Sequence, residues 1–212
     1  YAESEDFEIL LFGYASDDGP VKVIEHPTPE TLYDDGFVKL LMDPRIIKVA
    51  HNAAFERTCL SAYIRKLPQT IINTYRSPDA REPLDFLPPE QWQDTMIMAA
   101  ELGYPNSLAQ LGNALGLPED KKKMAAGKRL IQYFCKPCKP TVSNHGRTRN
   151  TAADAPDKWE TFVEYNRQDV VTEKFIFEKL NRICPVPDQE WKNWQVDQHI
   201  NDRGIGIDAD LV

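Results

Sequence analysis

Ile46-Ile47-Lys48-Val49-Ala50-His51-Asn52-Ala53-Ala54-Phe55-Glu56 is the stretch on which the fold turns. Its first five residues form a short, β-branched, apolar run, the pattern of a buried strand. The residues that follow, 53–67, carry Phe55, Cys59, Leu60 and Ile64 near helical spacing, so an amphipathic helix is predicted there. A strand passing directly into a helix is the repeating unit of α/β sheets, and ligands bind where such strands end. His51 and Asn52 sit at that end. Asn52 either caps the helix or hydrogen-bonds a ligand. Glu56 lies in the first helical turn, as a favourable acid at the positive helix end or as an oxygen ligand for a metal.

Upstream, Glu8-Ile9-Leu10-Leu11-Phe12-Gly13-Tyr14-Ala15 reads as a strongly apolar strand. The turn signal Asp17-Asp18-Gly19-Pro20 joins it to a hairpin partner, Val21-Lys22-Val23-Ile24. A helix is expected over 29–41. Downstream, 76–89 is rich in proline and acids and reads as an irregular connection. Helices are expected over 92–102 and 107–115, broken at Gly103-Tyr104-Pro105-Asn106, and over 127–134. A polar loop, 137–156, precedes a long helix over 157–183 whose buried stripe includes Trp159, Phe162, Val163, Val170 and Phe177. Pro185 and Pro187 end it, and a last helix over 190–201 closes at Arg203-Gly204. Hairpin, helix, strand and helix in this order predict a mixed α/β sheet covered by helices.

A chain of 212 residues with 42% hydrophobic and 27% charged residues is an ordinary globular composition. No apolar run reaches the roughly 20 residues of a membrane span, and Tyr1-Ala2-Glu3-Ser4-Glu5-Asp6 is no secretory signal. Four sparse cysteines, Cys59, Cys135, Cys138 and Cys184, fit a reducing cytoplasm better than a disulfide framework. Cys135-Lys136-Pro137-Cys138 has metal-ligand spacing, yet no second pair follows, so a packed or reducible thiol pair stands beside zinc as its reading. The net charge is −8, which argues against general nucleic-acid binding. From Lys121 to Arg149, however, no acid interrupts the cations Lys121, Lys122, Lys123, Lys128, Arg129, Lys136, Lys139, Arg147 and Arg149. Such a segment is either a solvated surface or a local attractor of phosphate.

The second chemical constellation is Tyr165-Asn166-Arg167-Gln168-Asp169 on the long helix. Tyr165 and Asp169 are four apart and share a face, with Glu173 continuing the row. A carboxylate there can hold a divalent metal, and a phenol beside it can position water. The plain alternative is a boundary tyrosine and an exposed acid.

Taken together these residues resemble the DEDD exonucleases, which have an RNase H-like fold and three motifs. Asn52-Ala53-Ala54-Phe55-Glu56 is similar to the family's Asn-x-x-Phe-Asp, with Glu for Asp. Tyr165-Asn166-Arg167-Gln168-Asp169 matches its Tyr-x-x-x-Asp. Asp94-Thr95-Met96 looks like the Asp-Thr-Met that opens a helix in the same family. The segment from Asp197 through Arg203-Gly204-Ile205 and Asp208 to Val212 resembles the passage from exonuclease to polymerase in family A DNA polymerases. Residues 8–14, 134–140 and 146–150 look like the phage and prophage branch. The first motif, Asp-x-Glu ending an apolar strand, is not found: Asp6-Phe7-Glu8 precedes the apolar run instead of ending one.

The resemblance implies an exonuclease-like domain over 1–184, and over 185–212 the start of a connection to a polymerase domain. It implies an RNase H-like mixed sheet flanked by helices, here without its first, central strand, so that the strand around Leu10 does not pair with the strand around Ile47. Its implied activity is 3′→5′ hydrolysis at a single-stranded DNA 3′ end with two Mg²⁺ or Mn²⁺ ions. Asp169 and Glu56 would bind metal, Tyr165 would orient the attacking water, and His51, Asn52 and Phe55 would line the 3′-nucleotide pocket. Lys128, Arg129, Lys136, Lys139, Arg147 and Arg149 would meet the strand's phosphates. The expected partners are DNA and a covalently linked polymerase domain, in the cytoplasm of a bacterium or phage-infected host, with no membrane. With half the family's carboxylates, slow or no cleavage is expected, and the alternative is a non-catalytic domain that supports a polymerase.

Overall fold

Leu11–Tyr14 (β1) and Lys22–Glu25 (β2) form an antiparallel hairpin in the computed structural model, with Leu11 opposite Glu25 and Tyr14 opposite Lys22. The structure describes residues 2, 4–75, 85–119 and 127–208. Part of the expected irregular connection (76–84), the cations Lys121, Lys122 and Lys123, and residues 209–212 lie outside the described residues. The chain divides into two units. One comprises Tyr1–Phe7, Thr28–Leu102 and Leu180–Val212, and the other Glu8–Pro27 and Gly103–Lys179.

In the first unit the predicted helix over 29–41 is two helices, Pro29–Asp34 (α1) and Phe37–Met42 (α2). Gly36, at φ 74°, breaks it, because the left-handed backbone that turns the chain there is open to glycine without penalty. Thr28 caps α1 with a reciprocal side-chain bond to Thr31. Lys48–Ala50 (β3) then leads into Ala53–Ile64 (α3), and Gln69–Tyr75 (α4) follows. Leu32 of α1, Val38 and Leu41 of α2, and Leu60 and Ile64 of α3 enclose one apolar core.

The helix predicted over 92–102 is corrected at its start. Trp92–Asp94 (β4) is a strand, parallel to β3, and the helix is Thr95–Glu101 (α5). Three residues are too few for a periodicity to register. The parallel neighbour upstream, β3, decides the conformation, since it supplies the ladder that Trp92 to Asp94 complete. The first unit also holds Asp188–Arg203 (α9), longer at both ends than predicted and closed by Gly204 at φ 68°.

The second unit carries β1 and β2, Leu108–Ala114 (α6), Gly127–Cys135 (α7) and most of Pro156–Ile183 (α8). Its aromatic core joins Leu130 and Phe134 of α7 to Trp159, Phe162 and Tyr165 of α8. The buried row of α8 runs Trp159, Phe162, Tyr165, Thr172, Ile176, so the predicted stripe is shifted: Val163, Val170 and Phe177 are only partly buried. Gly13 in the middle of β1 has a steric reason. A β-carbon there would come within 2.5 Å of Asn166 Oδ1 and 2.9 Å of Val170 Cγ2, both on α8. Among the described residues the sheets are two separate pairs, β1 with β2 and β3 with β4, as expected from the strand around Leu10 not pairing with that around Ile47. The class is mixed α/β, predominantly helical.

Candidate functional site

Parallel pairing of β3 with β4 sets Ala50 beside Asp94, so both strands end at the same level. Each then turns directly into a helix, β3 through His51 and Asn52 into α3, and β4 into α5. The two helix N-termini therefore lie side by side with their first backbone N–H groups unsatisfied. One side chain serves both. The buried Asp94 accepts hydrogen bonds from Asn52 N–H (2.9 Å) and Met96 N–H (2.8 Å) on Oδ1, and from Ala53 N–H (2.9 Å) on Oδ2. Burial pushes the Asp94 carboxyl above its ordinary value, while the three N–H donors pull the other way. Beside it, the fully buried Thr95 hydroxyl pairs with His51 Nδ1 at 2.9 Å.

Of the two readings of Asn52, the structure does not show the cap. Asn52 stands at the cap position of α3, but its side chain makes no capping bond, and its backbone is left-handed at φ 69°. Asp94 supplies the cap from the neighbouring strand, which leaves the exposed Asn52 amide directed elsewhere. Phe55, one turn into α3, is 49% exposed. An aromatic ring at the surface beside an exposed amide and an imidazole is a set of groups suited to a planar, polar ligand.

Glu56 behaves differently from Asp94. Its Oε2 is sealed from solvent and has no hydrogen-bond partner. Burial pushes its carboxyl up to about 8, with the nearby Asp94 charge adding to the shift. Next to it, Arg57 is 1% exposed and points into the unit. Its guanidinium donates to both carboxylate oxygens of Asp202 on α9 at 2.7 Å, to Leu87 O at 2.9 Å and to Gln198 Oε1 at 3.2 Å. The start of α3 is thus anchored to the end of α9 by a bidentate, buried pair.

The remaining sequence-predicted residues belong to the second unit. Tyr165 is 4% exposed, stacked on Phe162 (6.2 Å between centroids) within the aromatic core. Its ring lies against Gly127, where any β-carbon would overlap it. Asp169, one turn further along α8, is partly buried. Of the six cations expected to meet phosphate, two have acidic partners among the described residues. Arg147 pairs with Asp154 and Arg149 with Glu8. Lys128, Arg129, Lys136 and Lys139 are exposed. The loop that carries several of them is ordered by its own bonds, including Cys138 N–H to Thr148 O at 2.7 Å and Asn144 Nδ2 to Lys139 O at 2.9 Å. All four cysteines are free thiols.

Glu56 and Asp169 lie in different units, and among the described residues no three or more His, Cys, Asp or Glu side chains come together to hold a metal ion. In the first unit Glu56 offers one unsatisfied oxygen, while both oxygens of Asp94 are engaged by backbone N–H groups. These residues alone do not make a metal centre. Asp94 is the site residue that sequence reasoning missed in its role. Asp94-Thr95-Met96 was visible as a helix opening, but nothing local shows that the carboxylate also caps α3.

Over all 212 residues the chain is 42% identical to a protein named DNA polymerase from Bacillus phage SP02. The chain spans 29% of the length of that relative. No family model matches the chain, and no solved structure matches it. No described helix is long and apolar enough to cross a membrane.

Proposed function

We propose that this chain forms the 3′→5′ exonuclease-type domain of a phage-type DNA polymerase. The observation that carries this reading is the 42% identity over the whole chain to part of a phage DNA polymerase. The local chemistry narrows it. His51, Asn52 and Phe55 emerge at the C-terminal end of β3, where α/β sheets bind ligands, and Tyr165 and Asp169 share a face of α8. In this reading the 3′-terminal nucleotide meets Phe55 by stacking and Asn52 and His51 by hydrogen bonds. Asp94 is a positioning residue: it holds the Asn52 and Ala53 backbone and so aims the Asn52 side chain. Thr95 fixes the orientation of the His51 ring through Nδ1.

Mg²⁺ or Mn²⁺ would supply the activated water in an exonuclease of this kind. Among the described residues no three or more candidate ligand side chains come together for it. That same observation favours a second reading, a nucleotide-binding or purely supporting domain without hydrolysis. A 3′-labelled single-stranded oligonucleotide incubated with Mn²⁺ and the gene product that carries this chain separates them. The first reading expects shortening from the 3′ end that falls at least tenfold in Asp169→Ala. No shortening, with Asp169→Ala indistinguishable from the parent, would establish the second.

A further inference from the structure

The hairpin of the second unit ends in a residue that the exonuclease reading does not use. His26 N–H donates to Leu10 O at 2.8 Å, extending the ladder one residue past β2. Its backbone is left-handed at φ 45°. Residues other than glycine rarely adopt this conformation, and strained backbone of this kind concentrates at functional positions. The twist lays the imidazole flat on the indole of Trp159, with centroids 4.7 Å apart and planes within 2°.

Trp159 is itself immobilised. Its Nε1–H donates to Glu25 Oε2 at 2.6 Å. Phe134 meets it edge-on at 5.0 Å and Phe162 at 5.8 Å. Trp159 is buried and His26 is exposed. The indole covers one face of the imidazole, and His26 as a residue remains exposed. The result is a ring at the surface that is rigidly backed on one face. Cations accompany it in the same unit. Lys158, next to Trp159, sits over the Tyr133 ring at 4.2 Å, and α7, which supplies Phe134, carries the exposed Lys128 and Arg129.

We propose that His26, stacked on Trp159, is a platform for an unstacked base of single-stranded DNA, with the α7 cations serving the adjoining phosphates. Every base has a π-face, so the platform takes bases without reading sequence, which is how single strands are held on aromatic side chains. The choice of DNA rests on the function proposed above; the stacking surface stands on its own geometry.

The test is equilibrium binding of a fluorescent oligothymidylate of roughly 12 nucleotides to the 212-residue chain, in EDTA so that no cleavage occurs. Failure of the exonuclease reading leaves this measurement untouched. His26→Asn removes the ring while keeping a residue that tolerates left-handed backbone. It is expected to weaken binding roughly five- to hundredfold, with the salt dependence unchanged. An abasic strand of equal length should bind the parent chain no more tightly than oligothymidylate binds His26→Asn. Equal binding of the base-bearing and abasic strands, undiminished binding by His26→Asn, or no binding of oligothymidylate at all overturns the proposal. Should His26→Asn not fold, His26→Gly, which left-handed backbone accepts without penalty, repeats the measurement with the same two outcomes.

Discussion

Replacing Asp94 by Asn exchanges one acceptor oxygen for an NH₂ group that faces a backbone N–H. Since Asp94 serves Asn52, Ala53 and Met96 at once, the exchange strands at least one buried donor. A loss of about 2–4 kcal/mol in urea unfolding is expected for Asp94→Asn, and Asp94→Ala should lose at least as much. Glu56 makes the opposite case, a carboxyl whose charge is unwelcome. Its folded value of about 8 lies above the ordinary 4.5, so between those values the folded chain keeps a proton that the unfolded chain releases. Stability from this group is therefore complete below the ordinary value and drains away as pH rises through the folded one. Glu56→Gln, which stays neutral, should gain on the order of a few kcal/mol relative to the parent between pH 5 and pH 8.5, measured in denaturant with EDTA present. Both residues were visible in the sequence as acids at helix starts. Their difference was not, because the partners of Asp94 lie 41 and 42 positions upstream and the burial of Glu56 is a property of the packed unit.

At the scale of elements, two glycines and one arginine decide how helices seat. Gly13→Ala would drive a methyl into Asn166 and Val170 of α8. Overpacking of this kind costs about 1–3 kcal/mol, and the thermal midpoint should fall accordingly. Gly127→Ala meets the buried Tyr165 ring and should displace it, visible as a changed near-ultraviolet circular dichroism of the aromatic core. Arg57→Ala leaves Asp202 without its buried partner and Leu87 O without a donor. A cost of about 3–5 kcal/mol follows, with strong non-additivity in the Arg57→Ala, Asp202→Ala cycle. Most elements were legible because they are long and periodic: α3, α6, α7 and α8 fall within a few residues of their predicted limits. The misses have separate causes. β4 is three residues whose conformation is dictated by a distant parallel neighbour, and the break between α1 and α2 rests on one left-handed glycine. The turn His51–Glu56 was legible as a strand-to-helix junction, while the capping that shapes it was not.

Taken whole, the molecule is acidic, with a net charge of −8, so any grip on DNA is local and salt-sensitive. Neutralising Lys128, Arg129, Lys136 and Lys139 with Gln should flatten the dependence of log binding constant on log salt, by about 0.7 for each single-strand phosphate that these cations neutralise. Arg147→Gln and Arg149→Gln should instead loosen the loop by unpairing Asp154 and Glu8 and leave that slope nearly unchanged. The pairing of Arg57 with Asp202 has a further consequence, for the order of events during synthesis. Every segment of the second unit has been made once Lys179 is reached, whereas the first cannot close its α3 anchor until Asp202 is made. At elongation rates of about 5–20 residues per second, the intervening stretch adds on the order of one to five seconds. During that interval Arg57 still waits for its carboxylate. A released chain ending just short of Asp202 should therefore leave the α3 anchor open, read as faster proteolysis in the first unit than in the 212-residue chain.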